Sequence, residues 1–186
     1  KINKFTFTLE SESKNSDWIR NVLNLYVDCG QGNEVKTTLS GGFGSTRDNV
    51  CYVHGKKPLL DKNKEQRVKK INGKDVALFT DDYKNSYKIA WEDRFDESVL
   101  KDIGEGTFLK VGIVKDKDGK IYTEKFLSAY DAIAYIEKNK EAIDGKTIRV
   151  NGNVKYKMYN GNLQIEKDIK SIYVSEVEES KFKAEF

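Results

Sequence analysis

Hydrophobic and polar residues alternate along much of the chain, and this period of two predicts β-strands. "INKFTFTLES" alternates Phe5 and Phe7 with polar residues, and "WIRNVLNLYVDCG" puts Leu23, Leu25 and Val27 on one face. "NEVKTTLSGGFG", "NVCYVHG", "KDVALFT" and "SYKIAWEDRF" follow the same pattern, so the first half of the chain is predicted to be a succession of strands.

The second half combines two hairpins with one helix. "GTFLKVGIVKDKDGKIYTEKF" predicts a hairpin that turns at Asp118 and Gly119. "SAYDAIAYIEKNKEAIDG" has apolar residues at helical spacing, Ser128 as a candidate N-cap and Gly145 as a stop. We therefore expect one inserted helix, at about residues 128–143.

The closing hairpin, "NVKYKMYNGNLQIEKDIKSIYV", interleaves lysines with tyrosines. Asn160 and Gly161 fit a type I′ turn, which needs two residues with positive φ. The face predicted to pack inward carries Ile148, Val150, Val154, Tyr156 and Met158. The face predicted to meet solvent, or a polyanion, carries Arg149, Asn151, Asn153, Lys155, Lys157 and Tyr159.

Antiparallel strands with one helix between the third and fourth strands of the final set predict a mostly β fold of OB-like Greek-key barrels. We expect two such barrels. The predicted domains are an elaborated barrel over residues 1–103, a second barrel over 104–175 and an acidic-leaning tail over 176–186.

Charge is distributed unevenly along the 186 residues. The net charge is +3, yet residues 55–74 contain eight cations and two acids, a balance of +6, so the remainder carries −3. A local positive segment suits an electrostatic contact with a polyanion, and it equally suits a solvated lysine-rich loop. Charged residues make up 34% of the chain and no apolar run reaches about 20 residues, so a soluble cytoplasmic protein without membrane contact is expected.

The residues needed for common enzymatic sites are sparse. His54 is the one histidine, Cys29 and Cys51 lack zinc-ligand spacing, and "GGFGST" lacks the lysine of a phosphate-binding loop. Carboxylates in "TDDYK" and "WEDRFDE" leave a Mg²⁺-dependent nuclease as a third hypothesis. We predict a non-catalytic protein without metal or cofactor.

A family resemblance adds to this prediction. "DGKTIRVNGNVKYKMYNGNLQIEKDIKSIYV" resembles the closing hairpin of OB-fold single-stranded-DNA-binding proteins, particularly those of bacteriophages. The resemblance implies a phage-encoded protein of the host cytoplasm that binds single-stranded DNA in replication or recombination. It also implies that a tail such as "SEVEESKFKAEF" contacts replication or recombination proteins, although Lys181 and Lys183 depart from the family's acidic pattern.

Single strands are held by cations that follow the backbone and by exposed aromatics on which bases stack. The predicted cations are Lys36, Arg47, Lys56, Lys57, Arg67, Lys69, Lys70, Lys110, Arg149, Lys155 and Lys157. The predicted aromatic platforms are Tyr26, Phe43, Trp91, Phe108 and Tyr159. The alternative is a β-rich structural or interaction protein, such as a phage assembly or host-inhibiting factor, whose lysines are only solvated.

Overall fold

The computed structural model describes residues 1–185 and is mostly β, with 54% of residues in strands and 15% in helices. The strands are β1 (Ile2–Glu12), β2 (Trp18–Asp28), β3 (Glu34–Gly44), β4 (Val50–Pro58), β5 (Val68–Ile71), β6 (Lys74–Ala77), β7 (Phe79–Ala90), β8 (Leu109–Gly112), β9 (Glu124–Phe126), β10 (Ile148–Tyr159) and β11 (Asn162–Val174). The α-helices of this part of the chain are α1 (Glu97–Leu100) and α2 (Ala129–Lys138). The largest sheet is curled into half a barrel, so the predicted mostly β, barrel-like fold with one substantial helix is confirmed.

The chain forms two compact units. Unit 1 comprises residues 1–47 together with the chain from Leu109 onward, and unit 2 comprises Asp48–Phe108. These limits differ from the domains predicted over 1–103 and 104–175, because β1, β2 and β3 share one sheet with the strands of the C-terminal half. Unit 2 is thus a continuous segment inserted between β3 and β8.

Unit 1 is built on a seven-stranded sheet in the order β1-β2-β3-β11-β8-β9, with β10 paired to β11. Strands β1 to β3 form an antiparallel meander, and β11 runs parallel to both β3 and β8. The parallel contact with β3 joins Asp168 to Thr38, 130 residues apart in sequence. The first three strands and the last hairpin therefore complete a single sheet.

The core of unit 1 lies between this sheet and α2. Leu23, Leu25 and Val111 on the strands and Ile133 and Ile136 on the helix are fully buried there, as their alternation and helical spacing predict. The Ser128 hydroxyl accepts a hydrogen bond of 3.1 Å from the Tyr130 amide, so the predicted N-cap is correct. The predicted end is also close, since a 3-10 turn at residues 140–142 follows α2 and Gly145 has a φ of +62°.

Strands β10 and β11 extend beyond this core. The predicted turn is present, with φ of +47° at Asn160 and +75° at Gly161. A bulge opposite Asn151 and Gly152 separates the packed half of the hairpin from a distal half. No described element stacks on that distal half, so Tyr156 is 65% exposed and Met158 is 69% exposed. The prediction that these two side chains pack inward is wrong.

Unit 2 contains two antiparallel strand pairs, β4–β7 and β5–β6. Cys51, Val53 and Ile89 are buried on one face of β4–β7, and Tyr52 alternates with them on the other. The basic segment predicted as a loop over residues 55–74 begins in β4 and ends in the β5–β6 pair. In unit 1, the segment predicted as a tail contains a 3-10 turn at residues 179–181, and its terminal aromatic, Phe186, lies outside the described residues.

Candidate nucleic-acid interface

The outer face of β2 and β3 carries an aromatic ring beside a cation. Tyr26 and Lys36 are directly opposite each other in the register, and the Lys36 Nζ lies 5.5 Å from the centre of the Tyr26 ring. Asn24 and Thr38 continue this face, joined by a hydrogen bond of 2.9 Å between their side chains. Because Leu23 and Leu25 occupy the opposite face, the alternation of β2 places Tyr26 on the outer face, where it is half-buried.

A second pair in unit 1 stands where the β1–β2 loop enters β2. The Arg47 guanidinium lies 5.8 Å from the Trp18 ring, and Trp18 is exposed. An ion pair of 2.8 Å with Asp17 fixes the position of Arg47. Arg47 was predicted as a site residue, whereas Trp18 was not.

Unit 2 has three further sites of this kind. Lys88 lies 5.1 Å from the ring of its cross-strand partner Tyr52, and Lys56 lies 4.9 Å from the ring of Phe79. The Arg94 guanidinium stacks on two rings, at 4.1 Å from Trp91 and 4.6 Å from Phe95. The sequence analysis missed Tyr52, Phe79 and Phe95. The alternation of "NVCYVHG" could have identified Tyr52, because it lies between the inward-facing Cys51 and Val53.

Two of the predicted aromatic platforms, Phe108 and Phe43, are buried or half-buried. Phe108 is 6% exposed, so the expectation that it is an exposed ring is wrong: Leu109, Val111 and Phe108 are all buried despite the alternation. Phe43 is half-buried and packs edge-on against Tyr130, with ring centres 5.2 Å apart. Phe43 lies near the end of β3. The surrounding glycines in the sequence did not indicate that Tyr130 would pack against its ring.

Two lysines of the β10–β11 hairpin, Lys155 and Lys157, are paired with carboxylates. Lys155 donates to Asp168, and this hydrogen bond raises the pKa of the Lys155 ammonium. Lys157 lies 2.6 Å from Glu166. The two predicted cations therefore belong to cross-strand ion pairs on the outer face, while Tyr159, predicted to be exposed, is 63% exposed near the turn.

The other predicted cations differ in their surroundings. Lys57 lies 3.5 Å from Asp82, and the Lys56 ammonium donates to the Lys101 carbonyl. Lys110 is half-buried and Arg149 is exposed, with its Nε 3.4 Å from the Asn151 side-chain oxygen. Arg67, Lys69 and Lys70 are exposed on or next to β5. The predicted cations therefore lie in both units.

A concave groove of about 1130 Å³ lies on the inner side of β10 and β11 in unit 1. Val154, Tyr156 and Ile169 form part of its apolar lining, and residues of the C-terminal segment, including Phe182, line it as well. Lys1, Arg149 and Lys167 bring positive charge to the same groove. An extended ligand could contact apolar and cationic side chains here together.

The single histidine belongs to a hydrogen-bonded cluster in unit 2. The His54 Nδ1 is 2.9 Å from the Thr107 hydroxyl, and its Nε2 is 3.4 Å from Asp81. Asp81 also accepts bonds from the Tyr83 hydroxyl, at 3.3 Å, and the Gly106 amide, at 3.1 Å. These bonds tie the β4–β7 bulge to the turn at residues 105–107, which gives the cluster a structural role.

Metal-ligating side chains do not gather in the part of the chain that the structure describes. Over residues 1–185, no three His, Cys, Asp or Glu side chains lie together as potential ligands.

No helix in the same range has both the length and the hydropathy needed to cross a membrane. Comparisons with protein-family models, curated proteins and solved structures gave no match.

Proposed function

We propose that the protein binds single-stranded DNA without catalysis, in replication or recombination. The observation that carries the proposal is the repeated placement of a cation beside an aromatic ring at the surface, as in Lys36–Tyr26, Arg47–Trp18 and Lys88–Tyr52. Each pair offers a ring for base stacking and a charge for a neighbouring phosphate, which are the two components of single-strand binding.

The strand order of unit 1 also supports the proposal. A three-stranded meander, a helix and a closing hairpin, with β3 beside β11, resemble the Greek-key organisation of OB-folds, and β8 and β9 are additional strands of this sheet. OB-folds bind oligonucleotides on the face of their second and third strands and through the loops joining strands one to two and four to five. Tyr26 and Lys36 lie on that face, Trp18 follows the first of these loops, and Tyr159 precedes the turn of the second.

The remaining parts of the proposal follow from the family resemblance. Such a protein would be phage-encoded, would act in the host cytoplasm, and would contact replication or recombination proteins through residues 176–186. It would need no metal or cofactor, because stacking and charge neutralisation involve no bond-breaking step.

Titration of a labelled oligo-dT by fluorescence anisotropy tests the proposal. We expect tighter binding of the single strand than of a blunt duplex of the same length. If about five phosphates are neutralised, log K should fall against log salt concentration with a slope of about −3.5. Tyr26→Ala should weaken binding by about 1–3 kcal/mol, whereas Tyr26→Phe, which keeps the ring, should bind nearly as well as wild type.

A salt-independent response, or equal affinity of Tyr26→Ala and wild type for the oligomer, would contradict the proposal. The same oligomer incubated with Mg²⁺ should remain intact, and cleavage would support the nuclease hypothesis instead.

A second candidate is favoured by the inner face of the distal hairpin. Tyr156, Met158, Leu163 and Ile165 form a contiguous apolar surface in which each side chain is more than half exposed. Apolar patches of this kind mark contact sites for other proteins. If the folded protein fails to bind any oligomer, an interaction protein acting through this hairpin becomes the better hypothesis.

A further inference from the structure

The basic segment of unit 2 folds into a short two-stranded ribbon. The ribbon, β5 and β6, has four residues in each strand, and every one of them is exposed. Positive φ at Asn72 (+49°) and Gly73 (+78°) forms its two-residue turn. Backbone hydrogen bonds of 2.8–2.9 Å connect Leu59, Arg67 and Leu78 and anchor the base of the ribbon at the end of β4–β7.

The two faces of the ribbon differ in charge. One face pairs Lys69 with Val76 and Ile71 with Lys74, so it combines two cations and two aliphatic side chains without a carboxylate. The opposite face places Lys70 across from Asp75. The face that carries Lys69 and Lys74 therefore has the stronger uncompensated positive charge.

The cations of the ribbon also differ from those of the β10–β11 hairpin. Lys155 and Lys157 have carboxylate partners on the neighbouring strand. Within residues 1–185, by contrast, Lys69 and Lys74 take part in no ion pair or side-chain hydrogen bond. Like charges held together on a small ribbon repel each other, and this repulsion is relieved when an anionic partner binds.

The ribbon has no ring on which an unpaired base could stack. Between Lys57 and Leu78 the sequence contains no Phe, Tyr or Trp, whereas Lys36 and Lys88 each lie beside a ring. Single-strand binding uses aromatic platforms, but a duplex already has its bases stacked and presents phosphates and groove edges. The composition of the ribbon therefore suits a double helix better than a single strand.

We propose that the Lys69–Lys74 face of the ribbon binds duplex DNA, so that the preferred substrate is a single strand joined to a duplex. The major groove is about 12 Å wide and admits a two-stranded ribbon. Strands about 4.8 Å apart and four residues long, about 13 Å, have the dimensions for this insertion. Lys69 and Lys74 contact phosphates, while Ile71 and Val76 face the base edges. The single-strand part of this substrate rests on the proposed function.

Anisotropy titrations with three labelled DNAs test the inference: an oligo-dT, a blunt duplex, and the same duplex carrying an oligo-dT overhang. The test variant is Lys69→Gln/Lys74→Gln, and the matched control is Lys155→Gln/Lys157→Gln, which removes the same charge from paired lysines. Wild type should bind the overhang duplex at least about tenfold more tightly than the oligo-dT, because the ribbon neutralises additional phosphates of the duplex. The slope of log K against log salt concentration should also become steeper, by about 0.9 for each added contact.

The test variant should lose this gain, measured for each protein as the ratio of its affinities for the overhang duplex and for oligo-dT, whereas the control variant should keep the wild-type ratio. An overhang duplex that binds wild type no better than oligo-dT would overturn the inference and leave the proposed function intact. Duplex binding without oligo-dT binding would support the ribbon site and overturn the proposed function. If phosphatidylserine vesicles, and not duplex DNA, distinguish the test variant from wild type, the ribbon is a membrane contact and the inference is wrong.

Discussion

Ile133 and Tyr156 differ strongly in burial, although both are large side chains of unit 1. Ile133 is fully buried between α2 and the sheet, and its removal would leave a cavity among close-packed neighbours. Tyr156 is 65% exposed on the distal hairpin, so little of its apolar surface is withdrawn from water. Both positions are apolar in the sequence pattern, yet only one of them contributes to the core.

We expect Tyr156→Ala to change the free energy of unfolding by less than about 1 kcal/mol, because exposed side chains lose few contacts on truncation. Ile133→Ala should lower it by about 2–5 kcal/mol through lost burial and cavity formation. Urea denaturation of both variants beside wild type measures the difference. A loss of several kcal/mol in Tyr156→Ala would show that the distal hairpin is packed in solution.

The sequence predicted the core of unit 1 well because its signals are local. The alternation of Leu23, Leu25 and Val111 and the helical spacing of Ile133 identify buried faces without reference to the partner element. Burial of Tyr156 could not be inferred in this way, since alternation assigns a face and says nothing of how far the covering layer reaches.

At the scale of elements, the β10–β11 hairpin depends on a bulge that brings two backbones close together. Gly152 is opposite Ile169, and the register skips Lys170 on the other strand. A Cβ atom added to Gly152 would lie 1.9 Å from the Asp168 carbonyl oxygen, far inside contact distance. The bulge therefore requires glycine at this position for steric reasons.

Gly152→Ala should destabilise the protein by about 1–3 kcal/mol. The added methyl group would overlap the Asp168 carbonyl of the paired strand and so push the two strands apart. The adjacent Asn153→Ala, an exposed position on the same strand, is the control and should remain within about 0.5 kcal/mol of wild type. Thermal or urea denaturation distinguishes the two. Equal stability of Gly152→Ala and wild type would mean that the bulge relocates at little cost.

The candidate site was less predictable than the core because it depends on which strands pair and in which register. Whether a cation is free depends on its neighbours across the strands: Lys155 and Lys157 form ion pairs with acids on β11, and Lys36 is directly opposite Tyr26. These neighbours follow from strand pairing and register, which are non-local. Ring–cation pairs such as Arg47–Trp18, 29 residues apart, were for that reason missed in part.

At the scale of the whole molecule, the chain crosses from unit 1 into unit 2 and returns. Strands β1 to β3 precede the insertion and β8 to β11 follow it, yet all of them belong to one sheet. A break in the backbone inside unit 2 therefore need not separate the two parts of unit 1. The exposed segment at residues 61–67, rich in Lys and Arg, is a suitable place for such a break.

Limited trypsin digestion should cleave first within residues 62–67 and yield fragments that separate on a denaturing gel. The nicked protein should nevertheless elute as a single species in gel filtration, because β3 and β11 hold the two fragments in one sheet. Addition of urea before the column should separate them. Fragments that elute apart without denaturant would contradict the shared sheet.

The insertion of unit 2 has a consequence for the order in which the protein folds during synthesis. Unit 2 is complete once Phe108 has left the ribosome, so its strand pairs can form while the rest of the chain is still being made. Unit 1 must wait for β11, because the partner of Thr38 is Asp168. Until then the meander of β1 to β3 has an unpaired edge at β3, and that exposed edge is where association between nascent chains would begin.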